Sequence, residues 1–328
     1  MNLSKKSGSK DKTPYFLIVF NPVQNTKRQQ LLAQLITALK VKKLQYSLYP
    51  TEANLTANQH YFKHHLNEFS DIIVLGGDGT FNVVINCVLQ DGLNTNIAIG
   101  LLPAGTGNDF AKRWYDATQY PKGLSNPQLI DIVIADKTKT LYIGECAFNG
   151  NTRYFHNVLG VGFDAVIAKQ LVHKKSMFKS LSYLVAAARY IPFYREPESE
   201  LLLSSNESSS SNNYINVNTY RYKNLITAFA NSKFFGGGLP IAPSANPMDA
   251  NLHLIRVPKL ALHRKLALLT KLTMGKHLAE KEVHHEILTS DHQGEIIKDG
   301  LEIEADGEFI GETPCLVKLS SHTLKIKA

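Results

Sequence analysis

Two glycine-rich loops constrain this chain more than any other feature. Leu75-Gly76-Gly77-Asp78-Gly79-Thr80-Phe81-Asn82 continues the apolar run Asp71 to Leu75, and Leu102-Pro103-Ala104-Gly105-Thr106-Gly107-Asn108-Asp109-Phe110-Ala111 continues Ile97 to Leu102. Each loop begins where a buried strand ends and leads into a helical pattern. Successive strand–loop–helix units build a parallel, doubly wound sheet with both loops on one rim, outside the carboxyl ends of the strands. Glycines let backbone N–H groups approach a phosphate without a β-carbon in the way, and a following helix adds the positive end of its dipole. Asp78 is an anion inside the first loop, so it belongs near a phosphate only with Mg²⁺ or water between them. Taken alone, Gly-Gly-Asp-Gly is as readily a turn with Thr80 capping a helix. The second loop, repeating the pattern at the next strand end with Asn108 or Asp109 as cap, favours phosphate binding.

The neighbouring segments fit the same alternation. Tyr15 to Phe20 reads as a buried strand stopped by Asn21-Pro22, followed by a helix over Lys27 to Lys40 and a short strand over Tyr46 to Tyr49. Helices are predicted over Ala53 to Phe69 and Phe81 to Leu89. From Asp131 the texture changes. Ile132 to Ala135, Thr140 to Cys146, Arg153 to Val158 and Leu225 to Ala230 read as strands, with Asn149-Gly150 a hairpin turn. Helices interrupt near Asp164 to Val172, Lys179 to Tyr190 and Pro258 to Leu272. Ser204 to Asn213 is a Ser/Asn tract and reads as a flexible surface loop. Strands resume after Gly300, with Asp306-Gly307 as a turn.

At 328 residues the chain is long enough for two domains. Lys+Arg 36 against Asp+Glu 28 gives +8, which suits an anionic partner such as nucleotide, phospholipid head groups or nucleic acid without choosing among them. The basic residues are scattered and carry no nucleic-acid motif, so nucleic acid is not expected. Cys87, Cys146 and Cys315 form no CxxC pair, as in a reducing compartment. No apolar stretch follows Met1 to Lys6 as a signal peptide would, and none has the 18 residues of a membrane span. The expectation is a cytoplasmic protein with transient, peripheral contact to anionic membranes. Lys5, Lys6, Lys10, Lys12, Lys174, Lys175 and Lys179 are the candidate contacts. A homodimer is compatible with these features. His60, His64, His65, His284 and His285 read as solvated surface rather than metal ligands. There is no G-x-x-x-x-G-K-[ST], and no G-x-G-x-x-G after the first strand, which argues against P-loop and dinucleotide-binding folds.

The paired glycine motifs in this order resemble the diacylglycerol kinase catalytic-domain family, which includes soluble bacterial diacylglycerol kinases, YegS-type lipid kinases and sphingosine kinases. Gly160-Val161-Gly162-Phe163-Asp164-Ala165, Gly236-Gly237-Gly238 with Ile241-Ala242-Pro243, and Asp306-Gly307-Glu308 are similar to its later motifs. The resemblance implies an NAD-kinase-like two-domain fold, an α/β nucleotide-binding domain followed by a β-sandwich, with a C-terminal strand returning to the first domain. On that template residues 14–133 with about 315–328 form the ATP-binding domain, 134–314 the lipid-substrate domain and 1–13 a flexible basic arm. The implied activity is transfer of the ATP γ-phosphate to a lipid hydroxyl, diacylglycerol first, with Mg²⁺.

The resemblance also assigns residues. Asn21, Pro22, Thr51, Gly76, Gly77, Asp78, Gly79, Thr80, Asn82, Thr106 and Glu308 would lie around ATP, with Asn108 and Asp109 as supporting cap and acid. Asp306 would accept the alcohol proton, although Asp-Gly between strands reads first as a hairpin turn. Asp249 with the carbonyls of Asn246 and Asn251 would hold a structural Mg²⁺, while Met248 and Ala250 replace the family's Asp and Gly. The Ser-Gly that commonly follows Asn-Pro is missing after Pro22. Two other readings stand: an NAD kinase-like enzyme, whose Asn-Glu motif is not found here, and a non-catalytic nucleotide-binding regulator.

Overall fold

The computed structural model describes residues 14–90, 96–115, 124–171, 179–209 and 212–328. Its first part alternates as the apolar runs demand: β1 (Tyr15–Phe20), α1 (Thr26–Val41), β2 (Gln45–Pro50), α2 (Leu55–His65), β3 (Asp71–Gly76), α3 (Asp78–Leu89) and β4 (Ala98–Pro103). These strands run parallel in the order β2-β1-β3-β4. Every residue of β3 is buried because helices cover both faces, so its sequence shows no alternation. Leu31, Leu35 and Leu39 of α1 recur every four residues and pack against Phe16 and Ile18. On the opposite face Phe62, Phe81, Val84 and Ile85 pack against Leu17 and Val19. Asn25 and Asn54 start α1 and α2, each side chain accepting a backbone N–H.

The run Ile132 to Ala135, expected as a strand, is instead the end of helix α5 (Asn126–Ile134). Leu129, Ile130, Val133 and Ile134 bury one helical face, and Gln128 accepts the Ser125 N–H at 2.9 Å. Three consecutive apolar residues suit either period, and the upstream Ser-Asn-Pro-Gln signal decides.

The second part is a β-sandwich. β5 (Thr138–Phe148) and β6 (Asn151–Phe155) form a hairpin through Asn149 and Gly150, both at positive φ. β7 (Val158–Gly162), β9 (Asn212–Ala230), β10 (Asn251–Pro258), β11 (His284–Thr289), β13 (Glu302–Ala305) and β14 (Glu308–Glu312) make one sheet. β8 (Glu198–Ser209) and β12 (His292–Ile296) join the first half of β9 in the facing layer. Phe229, Leu252, Leu254, Ile303 and Val317 fill the space between. Helices α6 (Phe163–Leu171), α7 (Lys179–Tyr190) and α8 (Leu262–Thr273) cover the outer face of the first sheet.

Most of the Ser/Asn tract is strand rather than loop: β8 and β9 pair as far as Ser209 and Asn212, and residues 210 and 211 lie outside the described residues. The expectations for residues 1–13 and for Lys174 and Lys175 lie outside the described residues.

The last strand, β15 (Cys315–Lys327), pairs antiparallel with β12 and β5, then parallel with β4 through Lys325 and Ile326. Its end is locked in place. The Trp114 indole donates to the Lys327 carbonyl at 3.0 Å, and buried Lys327 meets buried Asp71 at 2.6 Å.

Candidate active site

The carboxyl ends of β1 to β4 bring the predicted nucleotide residues to one rim. The Thr51 N–H donates to Phe20 at 2.8 Å, which sets Thr51 beside Asn21 and Pro22. The Asn21 carbonyl accepts from Arg28 at 2.7 Å, fixing that corner. The two glycine loops touch backbone to backbone: the Ala104 N–H donates to Gly76 at 2.8 Å, and a β-carbon on Gly105 would lie 2.4 Å from the Gly77 α-carbon. Only glycine permits that approach. Asn108, at φ 53°, clamps its loop by exchanging hydrogen bonds with Gly105, both at 2.9 Å. Thr106 is exposed on the loop, whereas Thr80 is buried.

Carboxylates tie these loops to the second domain. Asp78 accepts the N–H groups of Asp109 and Phe110, each at 3.0 Å, at the start of α4 (Asp109–Trp114). Asp109 in turn accepts the Gly237 N–H at 2.8 Å and has Lys112 at 3.6 Å. Burial and then the Asp78 charge push the Asp109 carboxyl above its ordinary range, while Gly237 and Lys112 pull it back. In this arrangement Asp78 builds the site by holding two backbone donors.

Asn82 faces inward. Its amide donates to Asp306 at 2.6 Å and to the Tyr154 carbonyl at 3.2 Å, and its oxygen accepts from Arg153 at 2.6 Å. Asp306 occupies the β13–β14 turn at φ 52° and its side chain is 1% exposed. Its carboxylate takes the backbone N–H groups of His156 (3.0 Å), Asn157 (2.8 Å) and Val158 (3.2 Å) as well as the Asn82 amide. His156 Nδ1 lies 2.6 Å from the same oxygen that Asn82 contacts. Burial alone would raise the Asp306 carboxyl, but the His156 charge and these donors outweigh it and hold it below the ordinary carboxylate range. Both of its oxygens are thus engaged by donors of its own chain. Glu308, two residues on, is about half exposed. Its Oε2 meets Arg153 at 2.8 Å, and its Oε1 is 3.8 Å from where a Gly79 β-carbon would stand. Glu308 therefore faces the first glycine loop.

Arg153, His156, Asn157 and Lys112 were missed by sequence reasoning. The available signal was Arg153 and His156 interrupting a segment that otherwise reads as a buried strand. Lys112 is half exposed and reaches to 4.0 Å from where a Gly238 β-carbon would stand.

The segment from Asn246 to Asn251 does not fit a structural Mg²⁺. The Asn246 carbonyl accepts the Asp249 N–H at 2.9 Å, and the Asn246 amide donates to the Asp249 carboxylate at 3.1 Å. The Arg113 guanidinium donates to the Ala245 carbonyl at 3.4 Å, which puts positive charge beside the loop. Met248 packs into the first-domain core, and no group of three His, Cys, Asp or Glu suited to a metal occurs among the described residues. Mg²⁺ prefers near-octahedral oxygen ligation, and two of the expected ligand groups, the Asn246 carbonyl and the Asp249 carboxylate, already take hydrogen bonds within the loop. Without nucleotide, then, the melting temperature is expected to agree within a degree or so between EDTA and millimolar Mg²⁺. Stabilisation by several degrees, carried by Asp249, would contradict that.

Comparison with known proteins identifies both parts of the chain. The profile of the diacylglycerol kinase catalytic domain matches residues 15–146, and that of the YegS C-terminal NAD kinase beta sandwich-like domain matches residues 157–328. The chain belongs to the diacylglycerol kinase catalytic-domain family. Among curated relatives of this family member, a protein named diacylglycerol kinase from Mycobacterium tuberculosis is 26% identical over 256 residues, 78% of this chain and 75% of that one. A diacylglycerol kinase of Bacillus subtilis is 23% identical over 303 residues, 90% of each chain. A crystal structure of a diacylglycerol kinase from Bacillus anthracis matches with a TM-score of 0.61 at 15% identity, over 97% of this chain and 98% of that one. That likeness establishes the two-domain fold.

Proposed function

We propose that the protein is an ATP-dependent lipid kinase that moves the γ-phosphate to a lipid hydroxyl, with diacylglycerol as acceptor and phosphatidic acid as product. The observation that carries this reading is Glu308 facing the Gly76–Thr80 loop across the rim. The domain limits proposed are 14–133 with about 315–328 for ATP, and 134–314 for lipid. The triphosphate lies over the N–H groups of the two glycine loops, with Lys112 beside them. The lipid oxygen attacks the γ-phosphorus as the bond to ADP breaks, and the alcohol proton passes to Glu308. Positioning and fixed dipoles supply most of such a reaction's acceleration. Mg²⁺ bound to the nucleotide would screen its phosphates beside the Gly76–Thr80 loop that carries Asp78; no step here runs through the 246–251 loop. Asp306, with both oxygens taken, fixes the turn that presents Glu308.

An apolar cavity supports a lipid rather than a sugar or nucleotide acceptor. Phe163, Tyr183, Leu225, Ile241, Leu268 and Leu272 line it beneath α7 and α8. The Tyr183 ring lies 3.3 Å from where a Gly236 β-carbon would be, one residue from the Gly237 N–H that Asp109 holds. No helix among the described residues is long and apolar enough to cross a membrane. On the proposed reading the lipid is met at a bilayer surface, from the cytoplasmic side.

The test is radiolabelled ATP with mixed micelles carrying diacylglycerol, sphingosine, ceramide, phosphatidylglycerol or undecaprenol, and with NAD in a parallel reaction. Labelled phosphatidic acid is expected. Labelled NADP would favour the NAD kinase reading, and nucleotide binding without transfer to any acceptor would favour a regulator.

A further inference from the structure

Behind the Asp306 turn lie two buried carboxyl groups that the reaction as described leaves idle. Asp164 lies in the first turn of α6 and is 2% exposed; Glu304 is the penultimate residue of β13, two residues before Asp306, and is 3% exposed. Glu304 pairs in register with Gly160 on β7. Asp164 Oδ2 and Glu304 Oε1 lie 1.7 and 3.0 Å from the single point a Gly160 β-carbon would occupy. The two acids therefore meet in space that exists because residue 160 is glycine. The other oxygen of Glu304 accepts the Gly307 N–H at 2.7 Å, inside the turn between Asp306 and Glu308.

We infer that Asp164 and Glu304 share one proton, and that Glu304 in this pair is a positioning residue that holds the Asp306–Gly307–Glu308 turn for phosphoryl transfer. The inference rests on the kinase reading above. Among the described residues neither acid has a cation as partner; Lys169, on the same helix as Asp164, pairs with Glu302 and Glu312. The other titratable groups whose charge reaches the pair are the Tyr183 and Tyr194 hydroxyls and the carboxylates of Asp306 and Glu308. None of them offsets a second negative charge. Two buried carboxylates side by side cannot both ionise without strong repulsion, and one shared proton turns that repulsion into a hydrogen bond.

Burial first, and then Asp164, push the Glu304 carboxyl well above its ordinary range, against the pull of the Gly307 N–H. Burial likewise pushes Asp164 up to about 7, against the pull of the Ala165 N–H. An acid whose folded pKa is raised stabilises the fold below its unfolded pKa, and that contribution is lost as pH rises through the folded value. Once the shared proton leaves, repulsion drives Glu304 from Gly307 and the turn loosens.

The first ionisation, near 7, leaves the single shared proton on the pair; wild-type kcat should therefore fall on the alkaline side of that step, as the shared proton leaves, by up to tenfold per unit. Glu304→Gln accepts the Gly307 N–H through its oxygen and donates to Asp164 through its nitrogen, so it should lose this alkaline limb. Glu304→Ala should lower kcat at every pH with little change in the KM for ATP, and the glutamine variant should recover most of that loss. An alkaline limb of equal depth in Glu304→Gln would overturn the inference. Should wild type phosphorylate no lipid, the kinase reading fails but the pair remains measurable through the melting temperature against pH. Wild type should lose more stability than Glu304→Gln between pH 5 and 8, and parallel curves would refute the shared proton.

Discussion

Glu308→Gln should lower lipid kinase kcat by about 10²–10⁴-fold, the usual cost of removing a general base, while the protein stays folded and its KM for ATP hardly moves. The glutamine oxygen can keep the Arg153 contact now made by Glu308 Oε2 at 2.8 Å. The side chain is half exposed, so the fold loses little with its charge. What the amide cannot do is take the proton of the attacking alcohol. Nucleotide contacts reside in the two glycine loops, so the loss belongs in kcat. Steady-state kinetics and a melting curve on the same preparation decide the matter. Turnover within threefold of wild type would remove Glu308 from the role and return attention to Asp306 and Asp78.

Asp306→Asn should fail differently, losing turnover and stability together. Oδ1 of Asp306 takes two backbone N–H groups; Oδ2 takes the His156 N–H and the Asn82 amide and meets the His156 ring. Whichever oxygen becomes NH₂ then points hydrogens at donors, inside a site closed to water. Breaking one side of a buried, charge-assisted network costs about 2–4 kcal/mol, seen as a fall of several degrees in melting temperature. The pH response follows the same logic. The folded carboxyl sits below its ordinary range, so its stabilisation is present above the unfolded pKa and disappears as pH falls through the folded one. The variant should lack that acid-side decline. A variant with unchanged stability but no turnover would make Asp306 the proton acceptor after all, and Glu308 a bystander.

Much of the architecture was readable because local pattern and burial coincide there. The runs Tyr15 to Phe20 and Asp71 to Leu75 are apolar on both faces, as a strand between two helix layers must be. Glycines at 76, 77, 105 and 107 announce loops at strand ends, and Asn149-Gly150 and Asp306-Gly307 announce turns. Where burial and pattern part, sequence reading fails. Ile132-Val133-Ile134 suits either period and folds as helix, while Ser204 to Ser209 is too polar to signal a strand yet pairs along β9.

The glycine loops were determined by sequence because the requirement is local: each needs backbone freedom at its own residues. The orientation of the acids was not. Asp306 reads as a turn residue, and nothing nearby in the chain reveals that its carboxylate points inward at His156, Asn157 and Val158, about 150 residues earlier. That direction exists only once β13 pairs with β7 and brings the turn against the β6–β7 junction. Likewise Asp78 meets α4, and Asp164 meets Glu304, through packing between segments distant in sequence. Residue types fix what a side chain can donate, accept or ionise. Only the folded chain decides which of these acids is enclosed by donors and which one opens on the cleft, because burial and partner geometry are properties of the tertiary contact.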